Sequence, residues 1–247
     1  MFFLKNCLWI VLIMQSTTIF SQIKPDLIKL SSVDKTIIQD PRYAGSENFL
    51  GRKVAGYSTQ ELYCTPQAAQ ALKQVSSDMK KKGFTLVVYD AYRPQRAVND
   101  FISWRSEKDN AETKAKYYPT LSKKEIFEGG YVAEKSEHSK GSTFDLTIIP
   151  SNQKLKPVTV STRILANGES IPFLDDNTLD MGSSFDLFHP VSHHGTNLIS
   201  AKQTSNRTIL RESMKAHGFL EIHEEWWHYT LAHQPYPDTY FDWVDTD

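Results

Sequence analysis

Two segments of this 247-residue chain set a histidine near a carboxylate in contexts that suggest a metal ion, the first as two ligands and the second as a ligand and a base. In the first, SEHSKGSTFD, His138 lies in a Ser/Gly-rich loop and Asp145 stands seven residues on. Gly141 permits a sharp turn that folds the loop back over the strand beginning near Thr143. Zinc accepts nitrogen and oxygen ligands at ~2.0–2.2 Å and asks no more of the chain than this. In the second, EEWWHY, Glu225 precedes His228 by three positions among aromatic residues. Aromatic surroundings exclude water and strengthen any charge placed there. Positions three apart face opposite sides of a regular strand. A strand start or a bulge must therefore fall near Glu225 if both side chains are to serve one site.

Taken singly, each segment fits a blander reading somewhat better. The first could be a loop histidine beside a solvent-facing aspartate, and the second an aromatic core strand with a satisfied histidine. Together they offer two histidines, one ligand carboxylate and one spare carboxylate. Three protein ligands leave the open position of a catalytic zinc, whereas structural sites are closed by four. Water on such an ion ionises near pH ~7, and Glu225 could take the proton. A third element, Asp90-Ala-Tyr-Arg93-Pro, ends the apolar run FTLVVY. Arg93 keeps its charge at any ordinary pH and could steady an oxyanion, unless it serves only a structural ion pair.

These side chains need a frame. Ala68, Leu72, Val75 and Met79 recur at helical spacing, which predicts a helix over Pro66–Lys82 ended by Gly83. Phe84–Tyr89 reads as a buried strand and Pro94–Arg105 as a helix. Ser122 and Glu125 form a capping-box pattern. Thr143–Ile149 alternates, with Phe144, Leu146 and Ile148 on one face and Asp145 and Thr147 on the other. Ser205–His217 reads as a helix, and Phe219–Ile222 and Trp226–Leu231 as strands. Residues 150–180 are polar and Asn/Pro-marked, an excursion from the core. Helices and strands mix without a βαβ rhythm, which points to an α+β fold in a single domain.

Composition sets the outer bounds. Lys+Arg number 28 and Asp+Glu 29, a net charge of -1, which argues against a protein built to grip nucleic acid. Charged residues at 23% and apolar ones at 40% suit a folded domain. Two cysteines exclude a disulfide scaffold. Residues 1–21 have the layout of a signal peptide: Lys5, the apolar run Cys7–Met14, polar residues, then Ser21. That run is too short to span a bilayer, which needs ~20 residues. Cleavage near Ser21 would remove Cys7 and leave Cys64, which reads as a small buried hydrophobe. The expectation is an exported single domain over 22–247, located in the periplasm, with no stable membrane insertion.

Six segments in this order resemble the VanX-type D-alanyl-D-alanine dipeptidases, a zinc peptidase family that shares its fold with D,D-carboxypeptidases and hedgehog domains. They are YAGSENFLG (43–51), YDAYRPQRAV (89–98), GGYVAEKSEHSKGSTFDLTI (129–148), MGSSFDLFHPVSHH (181–194), EEWWHY (224–229) and PYPDTYFDW (235–243). The resemblance implies an antiparallel sheet flanked by helices, with one Zn2+ per chain held by His138, Asp145 and His228. It implies Glu225 as general base and Arg93 as transition-state stabiliser. It assigns Asp186 to the substrate ammonium, Tyr43 to the same end and Ser136 to the pocket wall. His193 and His194 match a family pair read as structural. The implied reaction is hydrolysis of D-Ala-D-Ala to two D-alanines in peptidoglycan turnover. Two alternatives stand beside it: a D,D- or L,D-carboxypeptidase acting on longer stem peptides, and a zinc-containing binding domain without catalysis. The stretch between Asp145 and Asp186 is longer than the resemblance leads one to expect, and could reshape the pocket rim.

Overall fold

The computed structural model describes residues 25–245. The signal peptide expected over 1–21, and Cys7 within it, lie outside the described residues. In chain order the elements are β1 (Ile28–Lys29), β2 (Ile38–Gln39), β3 (Tyr63–Cys64), α1 (Pro66–Lys81), β4 (Phe84–Asp90), α2 (Gln95–Trp104) and α3 (Ala111–Tyr117). Then come α4 (Lys123–Glu128), β5 (Thr143–Pro150), β6 (Thr159–Ile164), β7 (Ser170–Asp175), α5 (Ala201–Ala216), β8 (Phe219–Glu221) and β9 (His228–Leu231). The fold is α+β.

The main sheet has the order β2-β4-β5-β9-β8. Its β4–β5, β5–β9 and β8–β9 pairs are antiparallel, as expected, and the short edge strand β2 joins β4 in parallel. Helix α1 begins where the Thr65 hydroxyl accepts from the Ala68 amide and Pro66 takes a first-turn position that needs no donor. Its buried stripe is Ala68, Leu72, Val75 and Met79. Burial of each large apolar side chain contributes ~1.5–3 kcal/mol. Gly83, at φ +83°, reverses the chain into β4. Helices α1 and α5 pack on β4 and β8 and against each other. Cys64 is buried in β3, and burial pushes its thiol well above the ordinary range.

Strand β5 lies at the centre, and Thr143–Ile149 is buried throughout. The alternation along it therefore separates core from site rather than core from water. Strand β9 starts at His228, two residues later than the pattern predicts. Residues 226 and 227 form a turn in which the His228 amide donates to the Glu225 carbonyl (3.4 Å). That late start releases Glu225 from strand alternation, so it and His228 can face one site. Helix α5 begins at Ala201, earlier than Ser205, because Ser200 and Gln203 form a capping box. The 150–180 excursion is not featureless: β6 and β7 form an antiparallel hairpin. Around it, Leu165 and Ile171 pack with Leu187 and Val191.

Candidate metal centre and substrate cavity

Strand register brings two of the three candidate ligands together. Asp145 in β5 pairs directly with His228 in β9. His138 arrives from a short turn, Glu137–Lys140, whose start is capped by the Ser136 hydroxyl accepting from the His138 amide (3.3 Å). Gly141 closes that turn at φ +81°, and a Cβ there would come within 2.7 Å of Leu27. The result is a near-equilateral triangle. His138 Nε2 to His228 Nδ1 is 3.2 Å, His228 Nδ1 to Asp145 Oδ1 is 3.1 Å, and His138 Nε2 to Asp145 Oδ1 is 3.2 Å. Tetrahedral ligands at ~2.0–2.1 Å from one ion stand ~3.3 Å apart. The three residues are buried and fit one small cation.

The donor chemistry supports that fit. His138 Nδ1–H donates to the Ala91 carbonyl (2.7 Å), which leaves Nε2 as a lone-pair donor for a metal. Asp145 divides its oxygens: Oδ1 faces the imidazoles and Oδ2 faces Arg93 Nη2 at 3.4 Å. Burial alone would raise the Asp145 carboxyl, but His138 and His228 hold it well below the usual range. Arg93 is oriented by Asp90, which accepts from its Nε (2.9 Å) and from Tyr57 Oη (2.7 Å). Its guanidinium also lies 5.0 Å from the Tyr43 ring centroid and 5.1 Å from that of Phe101. Burial works against the charge, but the carboxylate of Asp90 maintains it.

All eight expected site residues line one cavity of about 250 Å³. That is below the ~300–1,000 Å³ usual for drug-sized ligands and suits something smaller. Glu225 is buried, with Oε2 3.7 Å from His228 Nδ1. Burial, then the charges of Asp145 and Asp186, hold its carboxyl well above the ordinary range. Asp186 is 3% exposed and accepts from Tyr43 Oη (2.8 Å). Its backbone sits at φ +58°, a strained conformation for a non-glycine residue. Among the described residues it has no cationic partner within 4.0 Å. Burial and the charge of Asp145 push it well above the usual carboxylate range, and a cation placed beside it would favour the ionised form.

Sequence reasoning missed the supports. Asp90 stands three residues before Arg93 in the same motif, yet its role shows only when Tyr57 and Arg93 converge on it. Tyr131 also lines the cavity and shares a 2.7 Å hydrogen bond with His193 Nε2. His193 and His194 themselves lie outside the ligand triangle. No residue of 150–180 lines the cavity, so the long stretch before Asp186 does not form its rim.

Comparison with known proteins gives the chain a family. The protein family described as peptidase M15, D-ala-D-ala dipeptidase, matches residues 24–164 and 171–246. The break, 165–170, falls at the turn between β6 and β7. The D-alanyl-D-alanine dipeptidase of Enterococcus faecium is 38% identical over 203 residues, 82% of this chain and 90% of that protein. That of Streptomyces coelicolor is 38% identical over the same shares, and that of Escherichia coli is 27% identical over 83% of this chain and 84% of its own length. With a family match across most of its length, the chain belongs to the peptidase M15 family.

Proposed function

We propose that this protein is a zinc metallopeptidase that hydrolyses the D-alanyl-D-alanine dipeptide to two D-alanines. One observation carries the reading most: a triangle of three possible ligands and a buried carboxylate with no cationic partner among the described residues face the same small cavity. A zinc ion on His138, Asp145 and His228 would supply Lewis acidity, polarising a carbonyl and acidifying a water. Asp186, aided by Tyr43, binds the free ammonium. An unpaired buried charge is expensive, so this end selects substrates with a free amino terminus. Arg93 stabilises negative charge developing on the scissile carbonyl oxygen. Glu225 takes a proton from the attacking water and gives it to the departing amine. A carboxyl held above its ordinary range suits both halves of that transfer.

The test is turnover by the purified zinc-loaded protein. Free D-alanine should be released from D-Ala-D-Ala, and far more slowly from N-acetyl-D-Ala-D-Ala or a stem pentapeptide. Faster cleavage of the longer substrates would favour the carboxypeptidase reading, and no release from any of them would favour a binding domain. We further propose export to the periplasm, with removal of residues 1–21 and a role in peptidoglycan turnover. Its support is the signal-like layout of the N-terminus. N-terminal sequencing of protein recovered from the periplasm should begin near Gln22; a start at Met1 would refute cleavage.

A further inference from the structure

Among the described residues, the charges around the cavity leave one cation without a carboxylate. Besides the histidines, the cationic side chains lining it are Arg93 and Lys135. Arg93 is committed to Asp90 and Asp145. The neighbouring Lys140 is paired with Glu137 at 2.6 Å. Among the described residues, no carboxylate lies within 4.0 Å of Lys135 Nζ, which instead faces the Tyr240 ring at 5.5 Å. That ring is shared with Lys140 Nζ at 4.9 Å. An exposed cation–π contact is worth only ~0.5–1 kcal/mol, so leaving it costs little.

A dipeptide carries a second charge that the site must meet. Asp186 and Tyr43 address the ammonium, and the metal centre with Arg93 addresses the middle. Two residues span at most ~7 Å, so in a cavity of about 250 Å³ the carboxylate must also contact the wall. The acidic groups on that wall, Glu137, Glu224 and Glu225 among them, offer a carboxylate no partner. Lys135 comes just after Glu134 at the open edge of the segment that leads into His138, and its flexible stem gives it reach. Beside it, the Ser136 oxygen already accepts from the His138 amide, which leaves its O–H free to donate.

We propose that Lys135 is the specificity residue for the free carboxylate of the departing amino acid, with Ser136 as its hydrogen-bonding neighbour. This rests on the dipeptidase reading and deepens it: Asp186 reads one end of the substrate and Lys135 the other, which sets the length at two residues. The test uses zinc-loaded full-length protein carrying Glu225→Ala, which separates binding from turnover. It is titrated with D-Ala-D-Ala and with the C-terminal amide of that dipeptide, with and without Lys135→Met. A charge-assisted hydrogen bond is worth ~1.5–3 kcal/mol. Affinity for the acid should therefore fall about 10- to 150-fold, with the amide changed less than about threefold, and Lys135→Arg should restore most of the loss. Equal weakening of acid and amide, or of neither, would overturn the Lys135 assignment alone. Failure of the Glu225→Ala protein to bind either ligand would overturn the dipeptidase reading along with it.

Discussion

The two ends of the cavity are built by different means. At the metal end, Asp145 and His228 face each other across paired strands, and His138 is set by a capped turn. Backbone hydrogen bonds fix the positions there. At the proposed ammonium end, Asp186 sits in the loop 181–194, whose regular structure is one short turn, Pro190–Ser192. Side chains from elsewhere hold that loop. Arg207 of α5 donates to the carbonyls of Met181 (2.6 Å), Val191 (2.8 Å) and His193 (2.9 Å), and to Ser183 Oγ (3.3 Å). Trp226 Nε1, next to the proposed base Glu225, donates to the same Ser183 oxygen at 2.9 Å. The β6–β7 hairpin braces the loop from behind, with the Leu174 amide donating to Ser184 Oγ (2.7 Å). A ligand triangle can thus be written into strand register, whereas a strained carboxylate needs tertiary scaffolding. The hairpin acts on the site through that scaffolding rather than as part of the rim.

The two ends make opposite demands on their variants. Glu225→Ala removes chemistry at the strand-built end without touching the frame. Its kcat should fall about 10²–10⁴-fold, the range for a general base, while bound zinc and the melting temperature stay near wild type. Loss of zinc in this variant would mean that Glu225 belongs to the frame after all. Arg207→Met acts on the loop-built end. It leaves the Met181 and Val191 carbonyls without the Arg207 donor, while the His193 carbonyl keeps the Thr196 amide (3.4 Å), at ~1–3 kcal/mol for a buried group left unsatisfied. Against that stands the cost of burying a guanidinium without a carboxylate, which pulls Arg207 down to about 9. The net loss should be roughly 2–4 kcal/mol in urea unfolding. KM should rise more than kcat falls, with zinc content unchanged, because Asp186 moves and the triangle does not. A variant with wild-type KM would show that the loop keeps its shape without Arg207.

This division also explains what could be seen from sequence. Helix α1 and the central strands announce themselves through apolar spacing, and the candidate ligand and base residues through motifs on those strands or just ahead of them, Asp145 and His228 within β5 and β9, His138 and Glu225 in the turns that lead in. The frame at the ammonium end is less legible. Arg207 looks like any exposed helix residue until the loop is folded over it. The β6 strand is mostly exposed, so it lacks the apolar alternation that would mark it, and only its register with β7, such as Ser161 opposite Phe173, reveals the hairpin. Helix α3 is short and polar, and its signature is a local cap, Asn110 Oδ1 accepting from the Glu112 and Thr113 amides. Motif spacing reports chemistry carried by regular elements, but contacts between distant polar residues leave little periodic trace.

The seam between the two ends offers the smallest and most selective test. His194 closes the Asp186 loop, its amide donating to the His223 carbonyl (2.8 Å) and its ring lying 6.2 Å from that of Tyr229 in β9. Its Nε2 is buried without a hydrogen-bond partner among the described residues. Burial pulls the imidazole down to about 4, with Glu221 offsetting part of the effect. An unfolded histidine titrates near ~6.5, so as pH falls the unfolded chain takes up this proton first. The stability associated with a neutral His194 is therefore complete above pH ~6.5 and is lost progressively as pH falls towards about 4. The loss is on the order of 2–3 kcal/mol across that window. His194→Phe keeps an apolar ring and removes the titration. In urea unfolding at pH 7 and pH 4.5, wild type should lose about 2 kcal/mol more than the variant between the two values. Identical acid losses would mean that His194 is solvated at the seam, and that the loop and the strands meet less tightly than these contacts indicate.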